Sequence, residues 1–405
     1  MASCMGMGPY DRLPYHRTIQ KGTLMNIPMI NLKEQYKKVR KGLLPKIHEI
    51  LAEQRLIMGR YCGELEKAVA DFSGLPYAVG CASGTDALIL ALMALDIKGG
   101  DEVITTPYTF FATASSIHLT GGKPVFVDIS ASDMNIDPDL LEGAITPRTR
   151  AIMVVHLFGR LCDMDRVRSV AKKHGLAVIE DMAQSLGARR GSVASGAFGD
   201  IAAISFYPTK NLGGIGEGGM VLTGRADLFE RARKLRVHGM NEHAYHHEMI
   251  GINSRLDEIK ACALVEKFPN MEEWNRKRIA NAMYYNGAFG DLPIKLPGNE
   301  GKGDHIFHQY VIRVERRDEL KGFLQKKGIQ TGIYYPLPLH LQECFGYLGY
   351  KKGDFKVAEE AALTSLALPV HPELKKAEKA YIVASVREFF GKGPTINNLA
   401  VSSRV

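Results

Sequence analysis

AIMVVHLFGRLCDMDRVRSVAKKHGLAVIED, Ala151–Asp181, holds two apolar runs, AIMVVHLFG at Ala151–Gly159 and LAVIED at Leu176–Asp181, on either side of a helical stretch. Apolar runs without alternation belong to strands buried on both faces. The same reading extends outward. VITTP (Val103–Pro107), PVFVDI (Pro124–Ile129) and IAAISF (Ile201–Phe206) are further strand candidates, separated by helical sequence. This alternation predicts an α/β fold with a mainly parallel sheet flanked by helices. Ahead of it, residues 26–72 have helical spacing, with apolar positions at Ile47, Ile50 and Leu51 and again at Leu65, Val69 and Phe72.

At 405 residues the chain exceeds what one core usually organises, so two domains are expected. Past about Asn270 the pattern changes to longer helices with few strands, such as HQYVIRV at His308–Val314. The expected division is a large domain over 26–270, a smaller C-terminal α+β domain over 271–391, and a tail over 392–405. Residues 1–25 contain no apolar h-region, so they read as a dispensable lead and not a signal peptide.

Composition narrows the function classes. Hydrophobic content of 45% and charged content of 24% are those of an ordinary globular protein. The formal charge of +8 suits anionic ligands, or is simply a solvated basic surface. Lys and Arg are scattered and accompany no nucleic-acid motif, so nucleic acid is not an expected partner. Six dispersed cysteines with no C-x-x-C pair argue against a zinc ribbon or a disulfide framework and fit a reducing cytosol. No apolar run is long enough to span a bilayer.

In parallel sheets, ligands bind beyond the carboxyl ends of the strands. Chemically capable residues gather there. Asp181 ends one strand, His156 lies near the end of another, and Lys210 follows a third in SFYPTKNLGGIGEGGMVLT, Ser205–Thr223. A lysine in a glycine-rich loop after a buried strand is readily desolvated, which favours the neutral, nucleophilic amine. Asp181, in VIEDMAQS, either caps the next helix or holds a proton on a heterocyclic nitrogen. Gln184 offers an amide three residues on. In CASGTDALILALMALDI, Ser83 and Asp86 form a capping-box-like pair. Gly84 permits close approach to that helix start and Thr85 adds a hydroxyl, which makes a phosphate seat or a plain cap. Ser205 adds another hydroxyl. Phe110, in PYTFFAT, either packs in a core or stacks on a planar ligand. Gly214, Gly216 and Gly219 match G-x-G-x-x-G, but they precede a strand at Met220–Leu222, which excludes a dinucleotide fingerprint.

Taken together, SGTDAL, TPYTFFAT, VHLFG, IEDMAQSLGA, SFYPTKNLGGIGEGG, GINSRLDEIKA and YYPLPLH, in that order, resemble the DegT/DnrJ/StrS family of sugar aminotransferases. The resemblance runs from Met25 to about Gly391. It implies the fold-type-I architecture, pyridoxal 5'-phosphate as cofactor, and a homodimer with shared active sites. It assigns Lys210 as the Schiff-base lysine and Asp181 as the partner of the pyridinium nitrogen. Gln184 would lie beside the phenolic oxygen and Phe110 would stack on the ring. Gly84, Thr85 and Ser205 would hold the phosphate, with Asn253 reaching the neighbouring subunit's cofactor. A family branch with histidine in place of Lys210 removes a sugar hydroxyl, so lysine implies amino transfer, with glutamate the expected donor.

The implied substrate is a nucleotide-linked keto-sugar, with UDP-linked 3-keto-hexoses or hexuronic acids in view. Arg255 matches a contact to a sugar carboxylate, or is paired structurally. Tyr334 stands where many relatives have histidine, a departure that weakens the uronic-acid reading. Tyr335 and His340 either contact substrate or pack the small domain. His238, His243, His246 and His247 have no cysteine or carboxylate at zinc-site spacing, so no metal is expected. Two alternatives stand beside this reading: an aminotransferase for a cyclitol or another keto-sugar, and a non-catalytic cofactor-binding regulator.

Overall fold

The computed structural model describes residues 25–243, 245–298 and 303–393. The expected lead apart from Met25, and the expected tail apart from residues 392 and 393, lie outside them. Two helices open the chain, α1 (Leu32–Glu53) and α2 (Arg60–Ser73). The α/β region follows as β1 (Tyr77–Cys81), α3 (Gly84–Ala94), β2 (Glu102–Thr105), α4 (Phe111–Leu119), β3 (Lys123–Phe126), β4 (Thr149–Val155), α5 (Met164–His174) and β5 (Ala177–Asp181). A short ribbon, β6 (Arg189–Arg190) and β7 (Val193–Ala194), precedes β8 (Ile201–Ser205), β9 (Gly219–Thr223), α6 (Ala226–Leu235) and α7 (Glu258–Lys267).

The seven-stranded sheet runs β1-β9-β8-β5-β4-β2-β3. All pairs from β8 to β3 are parallel, whereas β9 is antiparallel to both β8 and β1. Two reversals cancel, so β1 runs with the parallel strands and its carboxyl end falls on the same edge as theirs. That edge therefore collects the ends of β1, β2, β4, β5 and β8.

Alternating side chains of each strand enter two cores. Ala202 and Ile204 of β8, with Met220 and Leu222 of β9, pack toward α2 and α7 through Leu65, Val69 and Leu264. Ile201, Ala203 and Val221 face the other way, onto Leu88 and Leu92 of α3. Both faces are dry, which is why these strands read as unbroken apolar runs. Leu51 departs from the expected stripe. It is 48% exposed on α1, while Val39, Leu43 and Ile50 are buried.

The C-terminal region comprises α8 (Met271–Phe289), β10 (Tyr310–Arg313), α9 (Arg317–Lys326), α10 (Lys356–Thr364), β11 (Ser365–Leu368) and α11 (Lys376–Phe389). β10 and β11 pair antiparallel. Its core joins Tyr285, Phe289, Tyr310, Leu320, Leu366 and Ile382. Ile27 belongs to this second core and bridges to Ile329, so the first described residues dock on the small lobe. The five described cysteines are free thiols, and no helix among the described residues is long and apolar enough to cross a membrane.

Candidate active site

The acidic pair ending β5 splits between two tasks. Glu180 is fully buried and accepts from the backbone N–H groups of Gly196, Phe198 and Gly199. His156 Nε2 adds a 2.8 Å contact to it. Glu180 is thus a structural staple. Asp181, one residue on, faces the opposite side and the open edge of the sheet. Its Oδ2 accepts from Thr113 Oγ1 at 2.8 Å and its Oδ1 from the Ala183 N–H at 3.2 Å. Burial pushes the carboxyl up, opposed by these two bonds and by the Lys210 cation.

Lys210 sits in a closed loop after β8. Its N–H donates to Tyr207 O, the Gly214 N–H to Phe206 O, and buried Lys267 Nζ of α7 to Gly213 O. A Cβ on Gly213 would fall 2.1 Å from Pro208 O, so only glycine closes this turn. The Lys210 side chain is partly open to the site, yet its surroundings are dry enough to push the amine down to about 8. Desolvation is the cause, and the Asp181 charge opposes it.

The start of α3 meets the end of β8. Ser83 Oγ accepts from the Asp86 N–H at 3.1 Å. The reciprocal half of the expected capping box is not formed, because Asp86 Oδ2 instead accepts from Ser254 Oγ at 2.7 Å. A Cβ on Gly84 would lie 2.6 Å from Ser205 Cβ, so the N-terminus of α3, with Gly84 and Thr85, packs directly on the end of β8 at Ser205. Phe110 is the residue just before α4 and is 56% exposed, its ring 6.2 Å from that of Tyr335. Gln184 Oε1 accepts from the Phe158 N–H at 2.6 Å and its Nε2 donates to Tyr335 Oη at 3.1 Å.

The structure thus gathers Lys210, Asp181, Gln184, Phe110 and Tyr335, with Gly84, Thr85 and Ser205 alongside. Tyr334 lines a hollow of about 80 Å³ with Thr209, Arg278 and His308. Asn253 and Arg255 lie apart from this group. Ser254 between them turns inward, Asn253 is exposed, and Arg255 Nε donates to Asn253 Oδ1 at 3.0 Å. His340 is also elsewhere, buried against Phe355 with Nε2 3.1 Å from Glu359 Oε1. Among the histidines at 238–247, His247 Nδ1 contacts His238 O and His246 Nδ1 contacts Asn241. No group of three metal-ligating side chains occurs among the described residues.

These residues fit pyridoxal phosphate on three counts. The missing Cβ of Gly84 lets the N-terminus of α3 and the Ser205 hydroxyl stand side by side, a place that suits an anion. Each Asp181 oxygen has one hydrogen bond, which leaves capacity for a cationic N–H. Phe110 presents an open aromatic face. Thr113, Asn211 and His308 also belong to the site, although no motif singles them out. Thr113 alone carries a local signal, standing one helical turn after Phe110 in TFFAT.

A family model, the DegT/DnrJ/EryC1/StrS aminotransferase family, matches residues 38–387. The chain is 46% identical over 370 residues to the pleiotropic regulatory protein of Geobacillus stearothermophilus, covering 90% of this chain and 99% of that one. It is 43% identical over 361 residues to UDP-N-acetyl-3-dehydro-alpha-D-glucosamine 3-aminotransferase of Acidithiobacillus ferrooxidans, covering 89% and 97%. The crystal structure of S. venezuelae DesV in complex with a ketimine intermediate superposes with a TM-score of 0.87 at 40% identity, over 90% of this chain and 98% of that one. The architecture is fold type I, and the chain belongs to the DegT/DnrJ/EryC1/StrS aminotransferase family.

Proposed function

We propose that this chain is a cytosolic pyridoxal-phosphate enzyme that transfers an amino group from L-glutamate to the 3-keto group of a nucleotide-linked hexose or hexuronic acid. The observation that carries this reading is the meeting of one desolvated amine, Lys210, and one buried carboxyl, Asp181, at the same sheet edge. The 3-position and the UDP carrier follow the relative named for a 3-dehydro sugar.

Pyridoxal phosphate, when bound, supplies an electron sink for the pair left when a C–H bond beside the amino nitrogen breaks. Lys210 holds the cofactor at rest. Its amine would serve as general base and acid, taking the proton from the donor's α-carbon and giving it back as the amino group is passed on. An amine near 8 is suited to both directions of that transfer around neutral pH. Asp181 keeps a proton on the ring nitrogen. Phe110 would stack on the ring and Gln184 would lie beside its phenolic oxygen. Gly84, Thr85 and Ser205 take the phosphate at the positive end of α3.

Asn253 is exposed, which leaves it available to the site of a second copy as the family resemblance implies, and the active assembly we propose is a homodimer. Tyr334 and Tyr335 are the candidate sugar contacts, and Arg255 becomes one only across a pair of copies; His340, buried against Phe355 and Glu359, packs the small lobe instead. The regulatory name of one relative favours a non-catalytic role, but the proton-handling pair is present here in full.

The test is an incubation with pyridoxal phosphate, L-glutamate and a panel of UDP- and dTDP-linked 3-keto and 4-keto sugars. The expected product is the 3-amino sugar, identified by mass and NMR, with one equivalent of 2-oxoglutarate. The Lys210→Ala chain forms neither. Absence of 2-oxoglutarate with every acceptor would rule the proposal out.

A further inference from the structure

We propose that Asn211 and His308 are positioning residues for Lys210, joining the loop that carries the amine to the small lobe through a buried relay of side-chain hydrogen bonds. The relay starts at a backbone carbonyl. Leu186 O accepts from Asn275 Nδ2 at 3.1 Å, and Asn275 Oδ1 accepts from Asn211 Nδ2 at 2.6 Å. Asn211 Oδ1 then stands 2.8 Å from His308 Nδ1. At the far end, His308 O accepts from Arg278 Nη1 at 3.2 Å.

The direction of every bond is fixed from the carbonyl end. A carbonyl only accepts, so Asn275 must turn its NH₂ to Leu186 and its oxygen to Asn211. Asn211 must then turn its NH₂ to Asn275 and its oxygen to His308. His308 is left to donate from Nδ1, which sets its tautomer. Asn211, Asn275, His308 and Arg278 are each at most 7% exposed, so water does not compete for these groups. Burial and the neighbouring Lys210 and Arg278 cations hold the imidazole neutral.

The segments joined are the ones that matter for the reaction proposed above, on which this inference rests. Asn211 is bonded covalently to Lys210. Leu186 follows Asp181 and Gln184, and His308 leads into β10 of the small lobe. The lysine loop closes on itself through backbone bonds, and Asn211 ties it outward to two other parts of the site. Displacing the small lobe therefore displaces the amine. The Asp181 charge is the titratable group that acts on the amine, and the amine's own charge in turn lowers His308.

The test compares Asn211→Ala, His308→Phe and His308→Asn in the full chain. An asparagine amide nitrogen occupies about the place of Nδ1, so His308→Asn restores the donor. Asn211→Ala and His308→Phe are expected to lower kcat by about tenfold to 100-fold, with KM for both substrates within about twofold, as for a misplaced reacting group. His308→Asn should recover to within about threefold of the parent. The second readout needs no cofactor: acetic anhydride labelling of Lys210 against pH, followed by mass spectrometry of the cofactor-free chain. Loosening the loop admits water, so the labelling midpoint should rise from about 8 toward the ordinary lysine range in the two disruptive variants. A lowered Tm with kcat and the labelling midpoint both unmoved would mean plain stabilisation and overturn the proposal. If the parent takes up no pyridoxal phosphate, the functional reading fails while the labelling still judges the relay. Should Asn211→Ala not fold, the contrast between His308→Phe and His308→Asn decides alone.

Discussion

Thr113 Oγ1 donates to Asp181 Oδ2 at 2.8 Å, joining the first turn of α4 to the last residue of β5. Thr109 Oγ1 lies 3.1 Å from Thr113 Oγ1. Since Thr113 gives its proton to Asp181, Thr109 must donate to Thr113. Two hydroxyls in series therefore support the charge on a carboxyl that burial pushes up. The segment that presents Phe110 is fastened to the proposed ring-nitrogen partner by the same bond.

Thr113→Val removes that support while keeping the side chain's shape. A hydrogen bond to a charged group is worth about 1.5–3 kcal/mol, so the Asp181 titration should move up by roughly one pH unit or more. The sign follows from burial, which already raises the carboxyl above its unfolded value. A group raised in this way contributes stability below its unfolded pKa and loses it as pH rises through the folded one. The variant should therefore lose stability relative to the parent toward neutral pH. The acid limb of kcat/KM should shift upward, and a pH–rate profile of both chains reads the shift directly.

Lys210 gives the opposite dependence. Its amine is lowered from 10.5 to about 8, so its contribution to stability is full above the unfolded value and is lost as pH falls through about 8. Replacing it with methionine removes the burial of an ammonium group. Urea unfolding of the cofactor-free chains at pH 7 should show Lys210→Met more stable by about 3 kcal/mol, an advantage that shrinks toward pH 10. Equal stability at both pH values would mean that the amine is not desolvated.

Much of this architecture is written in local sequence, and the exceptions share a cause. The strands β2, β3, β4, β5 and β8 are legible because two dry faces demand unbroken apolar runs. β1, with sequence YAVGC, has little bulk and few β-branched residues, and its strand state comes from pairing with β9. β11 continues the helical-looking AALTSLAL and becomes a strand only against β10. Asp181 stands out because it ends a buried strand, and Lys210 because it follows one. Thr113 and Asn211 do not, because their partners are 68 and 97 residues away and neither side chain is unusual before the chain folds. Glu180 and Asp181 are chemically alike, and the alternation of β5 alone separates the staple from the site.

Gly84→Ala tests the phosphate seat. The added Cβ would fall 2.6 Å from Ser205 Cβ and 3.1 Å from its Cα, and a backbone atom cannot swing aside. Overpacking of this kind costs about 1–3 kcal/mol, and the helix start must withdraw from β8. The expected result is a cofactor dissociation constant raised by about tenfold to 100-fold, with a lowered Tm. Fluorescence titration of the cofactor-free chain measures it. An unchanged dissociation constant would place the phosphate elsewhere.

Sharing of sites between two copies can be tested by mixing defects. Lys210→Ala removes the amine from a site, while Asn253→Ala removes the group proposed to reach across to the partner. Asn253 is exposed in its own chain and bonds only Arg255 through its side chain among the described residues, so its loss should leave the fold intact. Each homodimer then lacks one element at both sites. In a mixed dimer, the Lys210-bearing copy receives Asn253 from its neighbour and one site is whole, whereas the other site lacks both. Random reassortment of equal amounts makes half the dimers mixed, so the recovered activity should be about a quarter of the parent's. Recovery requires subunit exchange, brought about by unfolding the two chains together and refolding them. Activity that stays at the sum of the separate variants after verified exchange would show that Asn253 serves its own chain or no site at all.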